Sequence, residues 1–421
     1  MSGRLTRVRR WLPMFVLAAA VRVVYWVAVT PDWVPVADAD QYVRLARALA
    51  DGKGFALQFP QFEVHATAFR PPLLPALLTP GALAFGAALW PARLLVLLIG
   101  CSVVVLAGVL AARVGGRWAG SAAATLVALY PPLIANDTLT LTEPLALLLL
   151  LAAVLLLDEG RFVGAGITVG LLLLTRPNGY LVVAILAAWA WQRAGFKKGL
   201  VVGGCALLVL LPWLIRNQIQ VGTFRPTTSD GFTIAAVWGV PAQQAETFVD
   251  PVYSDAYDDL QHRYRQFDEA EWNDQLTKEG VRALRSHPRY LPTLVQRNAA
   301  GYFEFNSRYN HYPEDNDGRD WPFRQDTRAA FWVVSVLGLI GLVRFRRDPR
   351  IIVLFLLTLQ FVVLSLLLVA PPRLRAPFDL TMCIGAGLLV GSWFEARHRR
   401  SEPALDAGAA LDAGPAAASP A

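Results

Sequence analysis

The sequence predicts an all-α polytopic membrane protein of about ten transmembrane helices, and three observations predict it. Of its 421 residues, 55% are hydrophobic, with a mean hydropathy of +0.41, above what soluble domains carry. Apolar runs of about 20 residues recur, the length that crosses roughly 30 Å of hydrocarbon as a helix. The net charge is +7, and its basic residues gather in short loops between apolar runs, as the positive-inside rule describes. That placement explains the charge without a nucleic-acid partner. Cys101, Cys205 and Cys383 lie inside apolar runs and offer neither a disulfide framework nor zinc-ligand spacing.

The first run, residues 11–30, is long and lacks a small-residue cleavage site, so it reads as an uncleaved helix. Arg4, Arg7, Arg9 and Arg10 precede it and place the N-terminus in the cytoplasm. Asp38 and Asp40 then emerge outside. Residues 71–90 carry Pro71, Pro72, Pro75 and Pro80, a poor straight spanning helix. Read as interfacial or re-entrant, they leave every later basic loop on the cytoplasmic side.

Spans then follow at about 92–112 and 118–134, joined by the basic Arg113/Arg117 loop, and at 143–157, ending near Arg161. A fifth returns outside at Thr175-Arg176-Pro177, a sixth reaches Arg193, Lys197 and Lys198, and a seventh ends outside at Pro212 to Asn217. Residues 216–327 form the long hydrophilic insert, with 17 of the 32 acids and 12 Lys or Arg. That is a mixed-charge surface, and the stretch after His287-Pro288-Arg289 has helical apolar spacing. An eighth span, 329–343, ends at Arg344, Arg346 and Arg347; the ninth and tenth flank an outer turn, residues 371–377. The expected organisation is a transmembrane module 1–215 with a catalytic first outer loop 30–91, the insert 216–327, C-terminal helices 328–396 and a disordered cytoplasmic tail 397–421. Both termini are cytoplasmic in this topology.

Its unusual polar residues all emerge on one side: Asp38, Asp40, His65, Arg70, Asp137, Glu143, Arg176, Arg216, Arg373 and Arg375. Each has an ordinary explanation. Asp38 to Gln41 fits a capping box before an apolar stripe of Tyr42, Leu45, Ala46 and Leu49. Glu143-Pro144 fits a helix start. Arg176 and Arg216 sit where snorkelling costs little. Capping does not need both acids, however, and two arginines in an outer turn oppose the positive-inside trend. Arginine forks match phosphate oxygens. Arg22, well inside the first run, needs a partner or a polar cavity, and its role is open between pairing and function. Tyr253, Tyr257, Trp272 and Trp321 of the insert could stack on sugars, though such residues more often build small cores.

Several words recur in order: Asp38-x-x-x-Tyr42-x-x-Leu45-Ala46, Gly52-x-Gly54-Phe55, Arg70-Pro71-Pro72-Leu73-Leu74-Pro75, and Thr142-Glu143-Pro144-Leu145. Thr175-Arg176-Pro177, Pro212-Trp213-x-x-Arg216-Asn217 and Arg373-x-Arg375-x-Pro377 complete the set. In this series the chain resembles the membrane-embedded GT-C glycosyltransferases. It is most similar to the bacterial family 39 group of protein mannosyltransferases and lipid A aminoarabinose transferases. The resemblance implies juxtamembrane helices in the first outer loop and a bacterial inner-membrane location. It implies a polyprenyl-phosphate-linked sugar as donor and a glycan, lipid or protein acceptor from the outer side. Asp38 matches the family's catalytic acid, but Ala39 replaces the second acid of protein mannosyltransferases, which weakens a protein acceptor.

On that reading Asp38 is the general base of an inverting transfer, and Arg373, Arg375, Arg176 and Arg216 hold the donor phosphate. Asp40 and Glu143 bind acceptor or metal, and Tyr42, Arg70 and His65 are further outer-face residues. Mg²⁺ or Mn²⁺ is left open, since two acids on separate loops coordinate a cation or merely hydrogen-bond. The rival is a lipid or polysaccharide flippase. Transporters place ionisable groups near the midplane, often in paired repeats, whereas these charges share one face and no repeat is visible.

Overall fold

The apolar runs become helices, shorter than expected in several places. The computed structural model describes residues 10–59, 62–259, 262, 268–306 and 317–401, without the side chains of residues 62, 63 and 399–401. Arg4, Arg7, Arg9 and the tail beyond 401 lie outside the described residues.

Helix α1 is Leu12–Ala28 and α2 is Ala37–Ala50. A two-stranded antiparallel hairpin follows, β1 (Ala56–Phe59) and β2 (Phe62–Ala66). This hairpin is a departure from the all-α expectation. Helix α3, Leu73–Phe85, packs on α2. Its 13 residues reach about 20 Å at 1.5 Å per residue, short of the roughly 30 Å hydrocarbon core.

Helix α4 covers Trp90–Leu129 but breaks at Gly116, where φ is 83°, a left-handed conformation that glycine adopts freely. The chain doubles back there. A Cβ on Gly120 would meet Ala112 at 2.6 Å, and one on Gly108 would meet Ala124 at 3.0 Å. The pairs 108/124 and 112/120 are symmetric about 116, so α4 is an antiparallel helical hairpin with Arg113 and Arg117 at its tip. The two runs divided at that basic loop are therefore two legs of one element.

The rest of the helical body is α5 (Pro131–Asn136), α6 (Glu143–Asp158), α7 (Phe162–Leu173), α8 (Tyr180–Ala194) and α9 (Phe196–Gln220). The insert contributes α10 (Asp230–Trp238), α11 (Val240–Ala245), α12 (Glu269–Ser286) and α13 (Tyr290–Tyr302), the last falling on the predicted stretch. Helices α14 (Trp321–Arg344), α15 (Pro349–Leu367) and α16 (Ala376–Ser401) complete it. Among the described residues, five helices (α4, α9, α14, α15 and the one ending at His398) are long and apolar enough to cross a membrane; α1, α3 and α7 are shorter and apolar.

The main apolar core lies where α16 packs on both α4 and α14. Small residues let the backbones approach, as in membrane helix pairs. A Cβ on Gly341 of α14 would fall 1.8 Å from the Gly385 carbonyl of α16. Trp272 and Tyr257 are buried as core residues, while Tyr253 is exposed.

Arg22 finds its partner. Its Nε and Nη2 donate to Asp137 Oδ2 at 2.8 and 2.6 Å, and Nη1 donates to the Ala18 and Ala128 carbonyls. The pair is buried and pins α1 to the turn after α5. Arg93 ties the same region, donating to Thr30 and the Thr138 carbonyl beneath Trp26.

Charges occupy both ends of α6. At Asp158, Arg113, Arg193 and Arg350 converge from three other helices at 3.1, 3.3 and 3.8 Å. At Glu143, the other end of this 16-residue helix and about 22 Å away, the second cluster begins.

Candidate active site

Helix α2 begins without a side-chain cap. Its N-cap residue is Val36, and neither Asp38 nor Gln41 closes a capping box. Both side chains turn instead to Arg70: its Nη2 donates to Asp38 Oδ1 and its Nε donates to Gln41 Oε1 at 2.5 Å. Ala37, the residue before, holds φ at 44°, a left-handed backbone that costs an L-residue about 1–2 kcal/mol. The start of α2 is shaped around the carboxylate and not around the helix end.

The second oxygen of Asp38 accepts from Arg373 Nη2 at 2.5 Å. Arg373 stands in a short 3₁₀ turn, Pro372–Arg375, between α15 and α16. Its Nε lies 3.1 Å from Asp317 Oδ1 and its Nη1 3.9 Å from Glu143 Oε1. Glu143 opens α6 beside Pro144, as a helix start should, yet it is also buried and accepts from Arg176 Nη1 at 2.9 Å. Its Oε2 is buried with no hydrogen-bond partner among the described residues. Tyr42 lies under the Arg70 guanidinium, 5.9 Å from ring to Cζ.

Burial alone would raise the Asp38 pKa, but Arg373 and Arg70 outweigh it and hold the carboxyl well below the usual carboxylate range. Burial pushes the Tyr42 phenol up. Asp38 is thus a fully ionised carboxylate with both oxygens engaged.

These residues line a cavity of about 1070 Å³. One wall is apolar, formed by Leu147, Leu150, Leu172, Phe361 and Leu364 of α6, α7 and α15, with Leu368 just past the end of α15. The insert supplies another, with Asp230, Asp250 and Tyr253, where burial raises both carboxyl pKa values. Asp40 lines the cavity too, 3.5 Å from Arg44.

Three expected site residues stand elsewhere. Arg375 is not a cavity residue: it is buried and bonded to Glu304, Asp379 and the Tyr302 carbonyl, with its charge already met. The 3₁₀ turn sends Arg373 and Arg375 to different surroundings. Arg216 donates to the Thr67 and Phe55 carbonyls at 2.6 and 2.8 Å, and so braces the first loop. His65 Nε2 meets Glu269 Oε2 at 2.7 Å, and Glu269 also accepts from Ala68 N and Thr228. Burial would raise the Glu269 pKa, but these hydrogen bonds hold it below its ordinary value. Arg216 and Glu269 together fix the end of β2 and the segment after it, which leads to Arg70.

Two further residues, Asp317 and Arg297 of the insert, line the cavity without any sequence motif to mark them. Arg297 Nη1 is buried with no hydrogen-bond partner among the described residues.

The acids do not suit a divalent ion. Among the described residues no three His, Cys, Asp or Glu side chains gather; both Asp38 oxygens accept from arginines, whose positive charge opposes a cation there, and Asp40 pairs with Arg44.

Structures of an archaeal oligosaccharyltransferase share this architecture. The Archaeoglobus fulgidus oligosaccharyltransferase, solved with Zn and sulfate, aligns at a TM-score of 0.55 and 17% identity, over 95% of this chain and 51% of that one. The chain shares its fold. Archaeal oligosaccharyltransferase AglB from the same organism, in complex with an inhibitory peptide and a dolichol-phosphate, aligns at 0.54 and 15% identity, over 97% and 52%. ArnT from Cupriavidus metallidurans, bound to undecaprenyl phosphate, aligns at 0.40 and 17% identity, over 96% and 81%. The chain spans about half the length of the two archaeal structures. No family model and no curated protein sequence matches it.

Proposed function

We propose that this protein is an integral-membrane glycosyltransferase that moves a sugar from a polyprenyl phosphate to an extracytoplasmic acceptor, with inversion. One observation carries the reading: Asp38 and Arg373, from opposite ends of the chain, meet in a large cavity with one apolar wall. A proton acceptor, anion-binding guanidinium groups and a hydrocarbon-lined groove are what a lipid-phosphate sugar donor requires. Fold likeness to an oligosaccharyltransferase in complex with a dolichol-phosphate supports the same class.

In the proposed reaction the acceptor hydroxyl gives its proton to Asp38 as its oxygen forms a bond to the anomeric carbon. The bond from that carbon to the phosphate oxygen breaks, and its electron pair stays on the departing polyprenyl phosphate. Arg373 and Arg176 stabilise that growing charge, the electrostatic contribution that usually dominates. General-base assistance adds about 10²–10⁴-fold. Glu143, with Oε2 open, accepts from a hydroxyl of the acceptor or sugar and orients it. Because the acids do not suit a cation, no step runs through a metal.

We place this site at the outer boundary of a bacterial inner membrane, with ten spans and both termini cytoplasmic. The arginine-rich cluster about Asp158 at the other end of α6 supports that orientation.

Release of sugar-free polyprenyl phosphate, dependent on added acceptor in proteoliposomes, tests the reading. A flippase would move intact donor across the bilayer and release none.

A further inference from the structure

Three of the cavity's arginines are already spoken for. Asp38, Glu143 and Asp317 face Arg70, Arg176 and Arg373, three charges against three. Arg297 is different. It projects from α13 into the same cavity, with Nη1 buried and unbonded and no carboxylate paired with it among the described residues. Its neighbour Asn298 fixes α13 by donating to the carbonyls of Leu366 and Leu368 at 3.0 Å each, next to the turn that carries Arg373. Of the arginines that line the cavity, Arg297 is thus the one without a carboxylate beside it among the described residues, and a phosphodiester supplies the anion it lacks. The buried Nη1 of Arg297 is a donor that an anion in the cavity can engage.

Meanwhile Asp38 is a poor base as it stands. Both its oxygens accept from arginines, and two guanidinium charges on one carboxylate weaken its hold on a hydroxyl proton.

Resting on the glycosyl-transfer reading, we infer that donor phosphate and Asp38 compete for Arg373: the phosphodiester docks on Arg297, draws Arg373 from the carboxylate and so frees Asp38 as base. Arginine forks exchange one oxyanion for another without net loss of charge-assisted bonds. Asp38 keeps Arg70 and Gln41 beside it as positioning residues, and its freed oxygen faces the acceptor. The base is then released only when a donor is present, which makes binding ordered, donor before acceptor.

The test is equilibrium binding of sugar-free polyprenyl phosphate to the full chain in nanodiscs, with uncharged polyprenol as control. Asp38→Asn removes the competitor, so affinity for polyprenyl phosphate rises at least tenfold, although turnover is lost. Should that variant fail to fold, Asp38→Ser makes the same prediction. Arg297→Gln weakens binding at least tenfold and leaves polyprenol binding unchanged. An unchanged or lower affinity in the Asp38 variants overturns the competition, and unchanged affinity in Arg297→Gln overturns the docking step. If the wild type binds polyprenyl phosphate no better than polyprenol, the lipid-phosphate reading itself is wrong.

Discussion

Asp38 and Arg373 are 335 residues apart in sequence and 2.5 Å apart in space. The pair joins the segment after α1 to the turn before α16, in a cavity whose walls come from both halves of the chain and the insert. The proposed reaction centre is built on these two groups of opposite charge, and the first predictions concern them.

Asp38→Asn keeps the shape of the side chain and removes its basicity. Transfer falls by about 10²–10⁴-fold, while expression and membrane insertion match wild type. Near-normal turnover in purified variant, measured with radiolabelled donor, would remove Asp38 from the chemistry.

Arg373→Lys keeps the charge and loses the fork that reaches Asp38, Asp317 and Glu143 together. Donor use is impaired, read as a fall in kcat/KM for the lipid donor. Arg375→Lys acts differently, because Arg375 is buried among Glu304, Asp379 and the Tyr302 carbonyl. It lowers thermal stability, and among the molecules that still fold it leaves donor KM near wild type.

Much of this centre was legible in the sequence. Asp38, Arg70, Glu143, Arg176 and Arg373 border apolar runs, and loop charges place them on one side, so their meeting follows from topology. The 3₁₀ turn was not legible: spacing of two gives no sign that Arg373 enters the cavity while Arg375 is locked behind it. Asp38 was also readable as a helix cap, and only the long-range contact with Arg70 excludes that. Asp317 and Arg297 sit in a mixed-charge insert without periodic or motif signal, and tertiary packing alone brings them to the site. The β-hairpin escaped for a related reason: it is short, and much of its anchoring comes from Arg216 and Glu269, distant in sequence.

Breaking the buried Arg22–Asp137 pair by Arg22→Met leaves a carboxylate without its cation, a loss of about 3–5 kcal/mol. The double variant Arg22→Met, Asp137→Asn recovers most of it. Thermal melting in detergent checks both, and equal melting of single and double variants would contradict a structural pairing.

Acid sensitivity follows from Glu269. Its folded pKa lies below the ordinary 4.5, so its stabilising contribution is complete above that value and is lost as pH falls through the folded value. Between pH 6 and pH 3 the wild type loses more stability than Glu269→Gln, which starts lower and declines less. Parallel melting curves across that range would contradict it.

Chelation bears on the acids. With Asp38 engaged by arginines and Asp40 paired to Arg44, EDTA treatment of purified protein leaves transfer within about twofold of the untreated rate, reading twofold as about 0.4 kcal/mol in barrier.

The most direct measurement is transfer from a panel of radiolabelled polyprenyl-phosphate sugars in membranes carrying wild-type protein, Asp38→Asn or neither. Label should leave one donor for an acceptor in wild-type membranes alone, with matching release of polyprenyl phosphate. Equal transfer by Asp38→Asn, or none from any donor while the intact lipid crosses the bilayer, would contradict a glycosyl-transfer centre built on Asp38 and Arg373.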